Sequence, residues 1–152
     1  MAIVVREGDA LAALEAGTIQ ALGHQVNQAG VMGAGIARQI RERWPVTLTA
    51  YRDALRRADL PLGRILPVAV APDRWVVHLA GQEGIGSGRR QTDYPALGWA
   101  LRRYAAWAAT MGVTPGLPYG IGCGLAGGAW PVVEALIAEA FADQTVMLWR
   151  LP

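Results

Sequence analysis

The chain has 152 residues, 53% of them hydrophobic and 17% charged, with a formal net charge of +2. That length suits one domain, residues 1–152, with a single substantial core, and the composition excludes a disordered chain. The charge is too small and its arginines too dispersed for a general nucleic-acid binder, and no apolar run is long enough to cross a bilayer as a helix.

In chain order, Ile3 to Arg6 predicts a first strand, and Gly8-Asp9-Ala10-Leu11 turns into a short helix, Leu11 to Glu15. Ile19 to Val26 predicts a second strand, with His24 near its C-terminal end. After a glycine turn, Ile36, Ile40 and Trp44 have helical spacing, and Pro45 ends that helix. Tyr51, Ala54, Leu55 and Ala58 predict another helix before Pro61. Ile65 to Ala71 and Trp75 to Ala80 predict two strands joined by an Ala-Pro-Asp-Arg turn. A glycine-rich loop over 81–90 follows, and Thr92 or Asp93 caps a helix carrying Leu97, Leu101, Tyr104 and Ala108 on one face. Val113 to Leu117 predicts a strand, Trp130 to Phe141 a helix and Thr145 to Leu151 a last strand. Strands alternating with helices imply an α/β fold, a three-layer α/β/α domain, with ligands beyond the C-terminal strand ends.

The chemistry available is narrow. All 14 basic residues are arginine, so no lysine can act as an amine nucleophile or proton shuttle. With two histidines and one cysteine, a His/Cys metal site is not expected, and no cofactor is called for. A lone cysteine and an N-terminus without the layout of a signal peptide suit a cytoplasmic protein.

Two glycine turns stand out. Pro118-Tyr119-Gly120-Ile121-Gly122-Cys123-Gly124-Leu125 joins a strand to a helix, and its alternate glycines leave backbone N–H groups free to face an anion. Val31-Met32-Gly33-Ala34-Gly35-Ile36-Ala37 is a second such turn. Two of these loops in one small domain suggest a ligand with two phosphates.

Gly8-Asp9, then His24-Gln25-Val26-Asn27, then Met32 to Ala37, then Gly120 to Leu125, in that order, resemble the macrodomain family over nearly the whole chain. The nearest branch is similar to chromatin-remodeller-type macrodomains, terminal ADP-ribose protein glycohydrolase and the yeast ADP-ribose 1″-phosphate phosphatase. The resemblance implies a mixed, roughly six-stranded sheet and a cleft for ADP-ribose. It assigns Asp9, flanked by Gly8 and Ala10, to the adenine amino group, although Asp9 also suits a helix N-cap. It assigns Met32, Gly33, Ala34, Gly35, Ile36 and Ala37 to the distal ribose and its phosphate. Pro118, Tyr119, Gly120, Ile121, Gly122, Cys123, Gly124 and Leu125 would wrap the diphosphate, with Cys123 a small buried residue rather than a nucleophile.

The family's glycohydrolase uses a lysine where this chain has Gln82 and an acid where it has Ala126. Neither replacement can do that chemistry; the resemblance still implies that Gln82 lies among the ligand-binding residues. The phosphatase resemblance implies that His24 activates water and Asn27 orients the distal ribose, with a structural histidine bonded at the strand end as the other reading of His24. Asp93 is the nearest acid after the flexible loop, and Arg89 or Arg90 could clamp a terminal phosphate. The leading expectation is therefore hydrolysis of ADP-ribose 1″-phosphate by His24, Asn27 and Asp93. A non-catalytic reader of ADP-ribose or of ADP-ribosylated protein or nucleic acid, and a hydrolase working through a positioned water, are the alternatives. No membrane partner is expected.

Overall fold

The structure, a computed structural model, describes residues 2–86 and 88–152. Ser87, part of the glycine- and serine-rich loop noted above, lies outside the described residues. The elements run β1 (Ala2–Glu7), α1 (Ala10–Ala16), β2 (Ala21–Val26), α2 (Gly35–Arg43), α3 (Val46–Arg56), β3 (Ile65–Ala71), β4 (Arg74–Ala80), α4 (Tyr94–Met111), β5 (Pro115–Pro118), α5 (Trp130–Ala140) and β6 (Thr145–Arg150). They form a mixed six-stranded sheet in the order β1-β6-β5-β2-β4-β3. Among the described strand pairs of the sheet, β3–β4 is antiparallel and the rest are parallel. Pro67, inside β3, is tolerated because β3 is an edge strand and need not donate on both sides.

Alternation along the strands divides the core between the two faces of the sheet. Ala21, Val77, Leu79, Leu117 and Leu148 pack with Leu97, Leu101 and Tyr104 of α4 and with Val133 and Ile137 of α5. Leu22, Val26, Val76 and Ala80 pack with α1, with Ile40 of α2 and with Tyr51 and Ala54 of α3. The three-layer α/β/α arrangement follows from burying both faces of the sheet.

The predicted boundaries shift by a residue or two where side chains compete for the ladder. The fifth strand runs Pro115–Pro118 rather than from Val113. Its upstream neighbour Thr114 is held by Gln20, whose Oε1 accepts from the Thr114 N–H at 3.1 Å. The third helix starts at Val46, directly after Pro45, and Ala58 lies beyond its end at φ 58°. Asp9 and Asp93 are N-caps: Asp9 Oδ1 accepts from Leu11 N at 2.9 Å, and Asp93 Oδ1 from Ala96 N at 3.0 Å.

Candidate functional site

A cavity of about 500 Å³ opens beyond the C-terminal ends of β2, β4 and β5. One wall is the loop before α2 and that helix's first turn, Gly33 to Ala37. The N-cap of α2, Ala34, offers no side-chain acceptor. The N–H groups of the first turn, which no helix pairs internally, therefore also lack a side-chain cap, and the positive end of the helix dipole meets the cavity.

The opposite wall is the loop after β5. Gly120 and Gly122 take φ values of 79° and 76°, which side-chain-bearing residues adopt rarely. The loop closes on itself: Cys123 N donates to Gly120 O at 2.9 Å, and Gly128 N to Gly122 O at 2.8 Å. Among the described residues, the N–H groups of Gly120, Gly122, Gly124, Leu125 and Ala126 find no partner. All five residues line the cavity. Two further lining glycines are not required by the backbone. Gly33 and Gly124 lie outside the left-handed region; an added Cβ would meet nothing within 4 Å at Gly124 and only Val31 Cγ1 at 3.4 Å at Gly33.

The floor is a network of neutral amides. Gln25 Nε2 donates to Gln82 Oε1 at 2.9 Å and to Thr92 Oγ1 at 3.0 Å. Thr92 Oγ1 in turn donates to Gly122 O at 2.7 Å, and Gln82 Nε2 to Gly84 O at 2.7 Å. Gln25 thereby ties the segment after β4 to the loop after β5. Its own Oε1 is buried without a partner among the described residues. Asn27 shapes the end of the cavity beside α2. Its Oδ1 accepts from Ala29 N at 2.9 Å, and its Nδ2 donates to Val31 O at 2.8 Å. The Tyr51 hydroxyl lies 2.7 Å from the same Oδ1. Burial pushes that phenol up to about 12, so it stays protonated as a donor.

No lining residue among those described is Asp, Glu, His, Lys or Arg; Tyr119 is the one titratable group. The nearby cations stand back from the cavity. Arg90 stacks on Tyr94 at 4.1 Å, and Arg150 on the ring of Tyr119 at 5.1 Å.

The cavity brings together Asn27, Gln82, Gly33 to Ala37, Pro118 to Gly122, Gly124 and Leu125 as the sequence leads one to expect. Other expected positions fall elsewhere. His24 is fully buried on the α3 side of the sheet, against His78, and does not reach the cavity. It sits two residues before the end of β2, and alternation turns it away from Gln25. The expectation that His24 faces the ligand is therefore corrected. Asp93 likewise lies outside the lining, with Oδ1 committed to capping α4. Met32 is a core residue, 1% exposed. Cys123 is not among the lining residues, and burial pushes its thiol up, away from the nucleophilic thiolate. Gly8, Asp9 and Ala10 also lie outside the cavity, at the end of β1.

Gln25, Val26, Val31, Ile85, Gly86 and Ala126 are lining residues to which the sequence assigned no ligand contact. Gln25 had a signal: it is the polar residue of β2 nearest the strand end, one step beyond His24.

No family model matches the chain. A stretch of 49 residues is 43% identical to a DNA ADP-ribosyl glycohydrolase of Mycobacterium tuberculosis, covering 32% of this chain and 14% of that protein. The chain thus matches only a small part of the length of its curated relatives. Solved structures extend the likeness. The macrodomain of Mycobacterium tuberculosis DarG superposes with a TM-score of 0.81 at 25% identity, covering 97% of each chain. A macrodomain protein of Streptomyces coelicolor also gives a TM-score of 0.81, at 35% identity, covering 97% of this chain and 98% of that one. Identity at that level over the full length of both proteins reflects common descent as well as shared shape, and the chain belongs to the macrodomain family.

Proposed function

We propose that this chain binds ADP-ribose in the strand-end cleft and acts as a reader, not as a hydrolase. One observation carries the reading: the cavity presents a row of unpartnered backbone donors, and no carboxylate, histidine, lysine or arginine is among its described lining residues. Backbone N–H groups and a helix N-terminus suit a diphosphate. The diphosphate would lie between the loop after β5 and the start of α2, with the distal ribose toward Asn27 and Gln82. The adenine would extend past Tyr119 toward Asp9. Asp9 follows β1, two strands across the sheet from β5, a span of about 10 Å at the usual strand spacing. The likeness to a DNA ADP-ribosyl glycohydrolase supports the choice of ADP-ribose as ligand.

Hydrolysis of ADP-ribose 1″-phosphate draws less support. His24 and Asp93 are committed elsewhere. A terminal phosphate would also add about two negative charges to a cavity with no cation in its described lining. A second reading, cleavage of an ADP-ribosyl conjugate by a positioned water, is favoured by the same 43%-identical stretch. The amides of Asn27 and Gln82 are the groups that would orient such a water.

The deciding experiment pairs calorimetry with product analysis. ADP-ribose should bind with saturation, while ADP-ribose 1″-phosphate, ADP-ribosylated protein and ADP-ribosylated nucleic acid should remain uncleaved. Release of phosphate would restore the phosphatase, and release of free ADP-ribose would establish the conjugate hydrolase. Affinity for ADP-ribose weaker than about 1 mM would remove the cleft reading altogether.

A further inference from the structure

Next to the cleft lies a second depression of about 400 Å³. One side is the loop from Gln28 to Val31, and the other is the face of α3 carrying Arg52, Leu55 and Arg56. Val31 lines both cavities, so this loop is the wall between them. Asn27 holds the wall from the cleft side through the backbone N–H groups of Ala29 and Val31. Arg52 holds it from the other side, donating from Nε to Gly30 O at 2.9 Å.

That bond orients the guanidinium and leaves its terminal nitrogens without partners among the described residues. Arg56 lies one helical turn on, with Asp53 as its partner at 3.2 Å, and Arg57 draws on the same carboxylate at 3.0 Å. No carboxylate is among the described residues lining the depression. Between the cations are apolar surfaces: Leu55 is half-buried, and Val31 is 38% exposed.

We propose that this depression receives a phosphodiester segment of a nucleic acid whose ADP-ribose occupies the cleft. The proposal rests on the reading of the cleft given above. A polymer attached at the distal ribose leaves the cleft at the Asn27 end and crosses Val31 into the depression. Two guanidiniums flanking apolar side chains suit a strand, because arginine pairs with phosphate and its plane stacks on bases. An acidic peptide would use the same charges but not the apolar surface between them.

The test compares free ADP-ribose, an ADP-ribosylated single-stranded oligonucleotide and an ADP-ribosylated acidic peptide, against wild type, Arg56→Gln and the Arg52→Gln/Arg56→Gln double variant. Wild type should hold the oligonucleotide conjugate about tenfold more tightly than free ADP-ribose at low salt. The double variant should lose that gain, read as the ratio of conjugate to free ADP-ribose affinity on the same protein, because Arg52 also supports the cleft wall. Its salt dependence should fall by about 0.7 in log–log slope for each phosphate contact removed. Arg56→Gln, which leaves the Arg52–Gly30 contact in place, should lose part of the gain. Equal wild-type affinity for ADP-ribose and the oligonucleotide conjugate overturns the proposal but not the cleft reading. So does a gain that survives in the double variant, or one matched by the peptide conjugate. Failure of free ADP-ribose and every conjugate to bind overturns both.

Discussion

His24 Nε2 lies 2.8 Å from His78 Nδ1, inside the core between the sheet and α3. The other nitrogen of His78, Nε2, is 2.9 Å from Thr47 O, an acceptor only. That contact assigns the His78 proton to Nε2 and makes its Nδ1 the acceptor of the His24 N–H. His24 Nδ1 is then a bare nitrogen with no partner among the described residues. Burial, and after it the neighbouring His78, holds His24 well below the ordinary histidine range. Burial holds His78 at about 4, with the Thr47 carbonyl opposing in part.

The pair makes stability depend on pH with a definite sign. Both groups have folded pKa values below the unfolded value of 6.5. The unfolded chain therefore binds more protons in that window, and folding is favoured less as pH falls. The histidine contribution should be complete above 6.5 and lost as pH drops through 6.5 toward about 4. Urea melts across that range should show the midpoint falling, with a smaller slope in a His24→Asn/His78→Asn double variant. A midpoint that does not change would mean that the folded core accepts the protons.

Replacing His24 alone separates core from site. His24→Ala should lower stability by roughly 2–4 kcal/mol, through the cavity left and the unpaired His78 nitrogen. Affinity for ADP-ribose, measured where the variant is still folded, should change little because His24 does not line the cleft. A large loss of affinity in a folded variant would place His24 in the binding machinery after all.

Gly124 is the position at which to block the cleft. Its backbone is unstrained, and the space an added Cβ would enter is open. Gly124→Glu should therefore abolish ADP-ribose binding, by bulk and by charge repulsion, with the melting temperature nearly unchanged. Gly122 is a poorer choice, since φ 76° and contacts to Gln25 and Thr92 would strain the fold as well. Calorimetry on a folded Gly124→Glu protein that still binds ADP-ribose would move the diphosphate out of this loop.

Asp9 can be divided into its two roles. Asp9→Asn keeps an oxygen to cap α1, whereas Asp9→Ala loses the cap and with it about 0.5–2 kcal/mol of stability. Both should weaken ADP-ribose binding by roughly 1–3 kcal/mol if the carboxylate accepts from the adenine amino group. Both should also narrow the preference over inosine diphosphate ribose, which lacks that donor. Unchanged discrimination in the two variants would leave Asp9 as a cap only.

A cleft lined by neutral groups should bind with little dependence on pH. Between about pH 6.5 and 8.5 the diphosphate does not change charge, and no Asp, Glu, His, Lys or Arg is among the described lining residues. ADP-ribose affinity should stay within a factor of about three over that interval. A tenfold change in calorimetric titrations would reveal an ionisable group acting from outside the lining.

Much of the architecture could be read from the chain because the hydrophobic periods are clear and capping residues mark the helix starts. Asp93 followed by Pro95 is such a start, and α4 begins where they put it. The two glycine turns also announce the walls of the cleft. The chemistry of the floor was harder to read. A histidine near a strand end looks catalytic, yet a shift of one residue along β2 exchanges the cleft side for the core side. His24 and Gln25 are neighbours in sequence and face opposite layers of the fold. The partner that keeps His24 in the core, His78, is cross-strand, and its register is set only when β2 and β4 pair.

The carboxamide of Gln25 also has a kinetic consequence. It touches Gln82 on one side and, through Thr92, Gly122 on the other, so neither the segment after β4 nor the loop after β5 can swing outward without breaking a partly buried bond. The cleft is thus assembled before a ligand arrives, and little ordering remains to be done on arrival. Related ligands should enter at similar rates and differ mainly in residence time. Gln25→Ala should reverse that pattern, slowing productive capture of every ligand.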